Sequence, residues 1–198
     1  MSSPPARARR ADARRSRALI LDAAIRLLNA QPDASVDAIA TAAGVTRQTV
    51  YAHFPSRQRL LAAVLDQLTE ETVAEMDAAD LDTGPAADAL LRLIDAGART
   101  TGRYPVLIQA LSALSVPPGE DQARHTAVAA RIRRVIERGL RTGEFDRRLP
   151  VGWLVTATIT LSHAASEERT AGRLPTEEAD EALRISLLRL LGAERPPG

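Results

Sequence analysis

Apolar residues recur at helical spacing along almost the whole chain, and no strand-like alternation of any length appears. Ile20, Ala24, Leu27 and Leu28 stand at i, i+4, i+7 and i+8, one stripe with a period of 3.6. Residues 29–34 interrupt it with Pro32 and Asp33. Ser35 is a good N-cap for a short helix over 36–43, and Asp37 puts negative charge in its first turn. Gly44 follows, where a helix end favours a left-handed residue. Thr46 caps a second short helix that runs to about His53, and Pro55 and Ser56 start a longer one towards Ala79. Further helices are predicted over 86–101, 104–114, 121–140, 150–171 and 176–191, with Leu174 and Pro175 turning the last pair. The class is therefore all-α, with about nine helices and no internal repeat.

Composition narrows the chemistry. Apolar residues at 45% and charged residues at 26% are ordinary for a globular protein and exclude a wholly disordered one. With no cysteine there is no disulfide, thiol nucleophile or cysteine-bound zinc. Three histidines with no metal or nucleophile spacing argue against an enzyme, and no cofactor is implied. Aromatics at 3% argue against a stacking platform for single strands.

Charge is unevenly placed. Residues 1–60 hold 10 Arg against 4 Asp, and the remainder holds 16 Arg against 21 acidic residues. Such asymmetry points one end of the chain at a polyanion. Arg7, Arg9, Arg10, Arg14, Arg15 and Arg17 concentrate it at the start. Residues 1–15 read as a flexible basic arm that can follow a DNA backbone or enter a minor groove. Asp22 and Arg26 interrupt the apolar stretch that a signal peptide would need. The longest uncharged run, 149–166, carries several hydroxyls and His163 and reads as a buried helix, so no membrane association and a cytoplasmic location are expected.

Segment 36–55 (VDAIATAAGVTRQTVYAHFP) holds the two short helices and a three-residue connection, the length of a DNA-binding helix-turn-helix. Ile39, Val45 and Val50 are spaced to pack the helices together, leaving Arg47, Gln48, Thr49 and Tyr51 on the outer face. A merely wet helical hairpin is the bland alternative. Residues 35–40 (SVDAIA), 43–46 (AGVT) and Val50, Tyr51, His53, Phe54, Pro55, Ser56 and Arg57 closely resemble the tetracycline-repressor (TetR) family. The likeness is strong over about 16–65. Beyond that it rests on helix count and on 138–145 (RGLRTGEF), which is similar to that family's turn before its last two helices. Two departures stand out. Residues 29–33 replace the family's usual glycine and aromatic residue, and Gln48 stands where glycine is common.

The resemblance implies a helix-turn-helix domain over 16–72 and an effector-binding and dimerisation domain over 73–198. It implies a dimeric regulator, usually a repressor, on a pseudo-palindromic double-stranded operator, released by a small effector. The residues expected at DNA are Ser35, Thr46, Arg47, Gln48, Thr49, Tyr51, His53 and Arg57. Thr46 opens a helix N-terminus that favours phosphate. Arg47 and Gln48 occupy the first turn in the groove, suited to guanine and adenine edges respectively. Tyr51 and His53 match phosphate-touching positions, and Arg57 stands where the family often has a phosphate-binding lysine. Effector candidates are Tyr104, Leu107, Gln109, Leu111, His125, Val128, Ile132 and Trp153, nearly all uncharged, which favours a largely hydrophobic ligand. Leu154, Thr158, Leu161, Leu183, Leu187 and Leu190 are the expected homodimer interface. The competing reading is a DNA-binding or architectural protein with no effector.

Overall fold

The structure, a computed structural model, describes residues 6–112 and 118–193, with side chains described at 10–111 and 126–193. Among the described residues there are nine helices and no strand. They are α1 (Ala6–Ala30), α2 (Val36–Ala42), α3 (Arg47–His53), α4 (Arg57–Asp77) and α5 (Ala86–Arg103), then α6 (Pro105–Ser112), α7 (Pro118–Thr142), α8 (Val151–Thr170) and α9 (Thr176–Leu191). No helix among them is long and apolar enough to cross a membrane.

The first correction concerns the arm. Helix α1 starts at Ala6, ten residues before the expected Ser16. Residues 6–15 contain only Ala, Arg and one Asp, and alanine and arginine are strong helix formers. A helix already nucleated by packing over its later turns extends through such residues at little cost. Residues 1–15 cannot build a core, which by itself suggests flexibility; propensity makes most of the segment helix instead.

The chain divides into two compact units, Met1–Glu70 with Thr101–Pro117, and Glu71–Thr100 with Pro118–Gly198. In the first, Ile20, Leu21 and Leu28 of α1 pack with Ile39 of α2, Val50 of α3, Phe54, and Leu60 and Val64 of α4. Helix α6, expected with the effector domain, supplies Leu107 and Leu111 to this same core. Its placement is reinforced by a backbone donor in its first turn. Leu107 N donates to Asn29 Oδ1 at 3.2 Å, satisfying one of the N–H groups that a helix start leaves open.

The second unit is built on Leu90 and Leu93 of α5, Ile132 and Ile136 of α7, Leu154 of α8 and Leu191 of α9, with Met76, Leu81 and Phe145. Segment 138–145 organises it. Gly143 takes φ +78°, turning the chain so that Phe145 lies back over α7. A Cβ on Gly139 would stand 2.3 Å from the Phe145 ring, so glycine is required there. Phe145 N donates to Gly139 O at 3.1 Å. Glu144 accepts from Ala86 N at 2.5 Å, capping the start of α5 from a distant part of the sequence.

Candidate nucleic-acid interface

The turn between α2 and α3 is made by local chemistry. Ala43 N donates to Ile39 O, Gly44 takes φ +67°, and Val45 N donates to Ala40 O at 3.0 Å. Glycine adopts that φ at no steric cost, because it has no Cβ. Buried Ile39 and Val50 then set the two helices against each other. Each helix has its expected cap. Ser35 Oγ accepts from Ala38 N at 3.1 Å, and Thr46 Oγ1 accepts from Thr49 N at 3.1 Å. The Thr46 and Thr49 hydroxyls also share a hydrogen bond of 2.9 Å, which pins Thr49 to the cap.

With Val50 inward, α3 leaves Arg47 and Gln48 exposed on its first turn and Tyr51 and His53 half-buried. Arg47 is held between two neighbours. Its Nη1 donates to Asp37 Oδ2 at 2.5 Å, its Nη2 donates to Tyr51 Oη at 3.5 Å, and its guanidinium lies 5.3 Å from the Tyr51 ring centre. Asp37, the first-turn charge on α2, thus also orients an exposed arginine of α3. An exposed pair of this kind is worth about 0.2–1 kcal/mol, so Arg47 can leave it for a stronger anion. The His53 ring stands tilted against Phe54 at 6.3 Å. Arg17 of α1 lies over the same Phe54 ring at 5.3 Å, a contact no local sequence signal announced.

Arg57 is placed differently from expectation. Nη1 donates to Ala34 O and Nη2 to Pro32 O, the latter at 3.2 Å. It ties the start of α4 to the α1–α2 connection, the segment that departs from the family's usual glycine and aromatic pair. Its guanidinium is committed within the protein.

The residues expected at the effector do not gather. Leu107 and Leu111 are core of the first unit with Tyr104 against them, while Ile132 is core of the second with Val128 against it. Gln109 is exposed, Trp153 is 59% exposed, and the His125 side chain lies outside the described residues. None of these lines the cleft of about 290 Å³ in the second unit. That cleft has an apolar floor of Leu91, Ile94, Leu183 and Leu187, and Asp95, Arg99, Arg169, Asp180 and Arg184 around it. No group of three or more metal-ligating side chains occurs among the described residues.

The expected dimer residues divide by their burial within the chain. Leu154, Thr158 and Leu187 are 0% exposed and Leu183 9%, so the chain's own core already uses them. Leu161 and Leu190 are half-buried and pack on that core. The outward side of α8 carries Trp153, Thr160 and Ala164, spaced seven and four apart.

The family described as bacterial regulatory proteins, tetR family, matches residues 20–64, from α1 into α4. The transcriptional repressor LfrR of Mycolicibacterium smegmatis is 40% identical over 81 residues, 41% of this chain and 43% of that protein. The uncharacterised transcriptional regulator TtgW of Pseudomonas putida is 48% identical over 62 residues, 30% of this chain and 46% of that one. The matched segments thus span less than half the length of these relatives. Among solved structures, LfrR from Mycobacterium smegmatis in complex with proflavine superposes with a TM-score of 0.63 at 28% identity, covering 88% of this chain and 94% of that one. Residues 20–64 thus match the tetR-family regulatory domain, and the described fold is similar over most of its length to that of a TetR-like transcriptional regulator.

Proposed function

We propose that the protein is a ligand-responsive repressor that binds a pseudo-palindromic operator as a homodimer in the cytoplasm. The observation that carries the DNA reading is the face of α3. Arg47 and Gln48 are exposed on its first turn, while Val50 is buried in the first unit's core. Gln48 presents a donor and an acceptor that match the N6 and N7 edge of adenine. Arg47 takes guanine or a phosphate once Asp37 releases it. Tyr51 and His53, on the flank, contact phosphate, with Thr46 and Ser35 fixing the helices that carry them. Arg57 acts by holding the α1–α2 connection.

The effector enters the second unit. The cleft on α5 and α9 is just below the usual size range of ligand sites and combines an apolar floor with charged edges. It suits a molecule with an apolar body and a polar or charged rim, rather than a purely hydrophobic one. Helix α4 is continuous from Arg57 into the second unit, so an effector that shifts it changes DNA affinity. Coupling of about 1–3 kcal/mol is typical of such switches. The dimer uses the outward face of α8 and α9, with Trp153, Thr160, Ala164, Ile185 and Leu188.

The test measures affinity on duplexes from the chain's own promoter region, mutated one base pair at a time. Gln48→Ala should relax preference at one base pair per half-site, by about 1–3 kcal/mol. Tyr51→Phe should weaken all duplexes evenly by about 0.5–1.5 kcal/mol. A uniform loss for Gln48→Ala would assign base reading to Arg47. Proflavine, the compound bound by LfrR, is the first effector probe, with Ala98→Trp as the variant that fills the cleft. If neither proflavine nor a wider set of small molecules changes operator affinity, the reading without an effector stands.

A further inference from the structure

The arginine cluster at the start of the chain lies outside the helix-turn-helix segment, and α1 gives it a definite geometry. Arg10, Arg14, Arg17, Leu21, Ala24 and Leu28 fall at i, i+4, i+7, i+11, i+14 and i+18, so they form one stripe down a single face of α1. Along its last part the stripe is core, with Leu21, Ala24 and Leu28 all buried. Along its first part α1 overhangs that core. Residues 10–19 are exposed except for half-buried Ser16. At Arg17 the stripe changes from apolar to cationic without changing face.

That switch says what fits there. A helix that overran its domain by accident would carry mixed polar residues on this side, or apolar ones seeking a partner. This one carries arginine at each stripe position described. Asp12, the sole acid in residues 6–19, stands about 200° around the helix from Arg10, away from the stripe. The base of the overhang is also held in place. Arg17 rests over the ring of Phe54, the residue that ends α3. Phe54 itself is buried in the first unit's core. The cationic stripe therefore continues from the same side of the unit as the end of the recognition helix.

We propose that the overhang of α1 is a rigid phosphate clamp on duplex DNA flanking the operator half-site, with Arg10 and Arg14 as its contacts and Arg17 as its anchor. The proposal rests on the DNA-binding reading above. Arg10 and Arg17 are about 10 Å apart along the helix, a span of about three base-pair steps. Because it holds phosphates and reaches no base edge, the clamp adds affinity and salt dependence without sequence preference.

The experiment uses the full chain and operator duplexes trimmed progressively from both ends, with affinity followed against salt. Wild-type affinity should rise with flank length and level off within about one helical turn. The double variant Arg10→Gln with Arg14→Gln should lose the flank dependence. Its log–log salt slope should become shallower by about 0.9 for each phosphate that a bound subunit no longer neutralises. Ala13→Pro keeps every charge but breaks the overhang, because proline inside a helix removes a hydrogen bond and clashes with the preceding turn. It should behave like the double arginine variant. Wild-type affinity that ignores flank length would overturn the clamp. An Ala13→Pro variant that keeps the flank dependence would show a flexible arm and overturn its rigidity. Failure of the DNA reading itself looks different: no duplex is bound better than random DNA, and Gln48→Ala changes nothing.

Discussion

At the scale of single residues, Arg57 and Thr100 separate what a side chain could do from what its surroundings ask of it. Arg57 has the charge for a phosphate but donates to two backbone carbonyls, of Ala34 and Pro32. Hydrogen bonds from a charged donor contribute more than neutral ones, and Arg57 is half-buried, so Arg57→Ala should cost about 1–3 kcal/mol in urea unfolding. Lysine lacks the planar fork that reaches both carbonyls, so Arg57→Lys should recover only part of that. Unchanged unfolding with uniformly weaker DNA binding would return Arg57 to the phosphate role. Thr100 poses the opposite case. Its side chain is 1% exposed, and Oγ1 is the buried side-chain polar atom left without a partner among the described residues. Thr100→Val keeps the shape and removes the unpaired hydroxyl, so it should raise stability by roughly 1 kcal/mol, visible as a higher melting temperature.

At the scale of elements, the second unit is braced by ion pairs between helices that its apolar core alone does not orient. Asp77, the last residue of α4, receives Arg131 of α7 through two parallel bonds, Nε to Oδ1 at 3.0 Å and Nη2 to Oδ2 at 2.7 Å. That hydrogen-bonded guanidinium, aided by its charge, holds the Asp77 carboxyl below its ordinary value of 3.8, against a smaller opposing effect of burial. A folded-state value below the unfolded one means stability that is present above the ordinary range and lost as pH falls through the folded value. The Asp77 side chain is 51% exposed and that of Arg131 29%, so solvent screening keeps the contribution at neutral pH to at most about 1 kcal/mol. Asp77→Asn should therefore unfold at slightly lower urea than wild type at pH 7. The difference should vanish progressively once the pH drops below 3.8. A gap that persists in strong acid would show that Asn disturbs packing rather than charge.

At the scale of the whole molecule, helices α8 and α9 each have two sides, and burial shows which of them the chain's own core uses. Leu187 is 0% exposed and belongs to the core of its own chain. Leu187→Arg should therefore unfold the second unit, seen as lost helicity, instead of releasing intact monomers. Trp153 is 59% exposed, far more than a large aromatic usually is in a finished assembly. Trp153→Glu combined with Ile185→Glu should leave helicity intact and shift sedimentation from dimer to monomer. A dimer that survives the pair of charges would place the interface away from α8 and α9.

Local chemistry made much of this legible in advance. Ser35, Thr46 and Gly44 bound the two short helices because caps and a left-handed glycine act within four residues. The spacing of Ile39, Val45 and Val50 assigned the inner and outer faces of the helix-turn-helix, and the helix count followed from period 3.6. What stayed hidden depends on contacts between residues distant in sequence. A leucine at helical spacing is the same signal whether it meets its own core or a partner, so Leu154, Leu183 and Leu187 could not be told from interface residues. Leu107 and Leu111 show a buried face but not which core it enters; Asn29 and the first unit decided that. Arg57 declares a charge and a reach, and only the carbonyls of Pro32 and Ala34 brought beneath it decide that the charge is used inside the protein. Propensity and capping act over one turn of chain and can be read from it, whereas burial and long-range hydrogen bonds exist only once the helices have met.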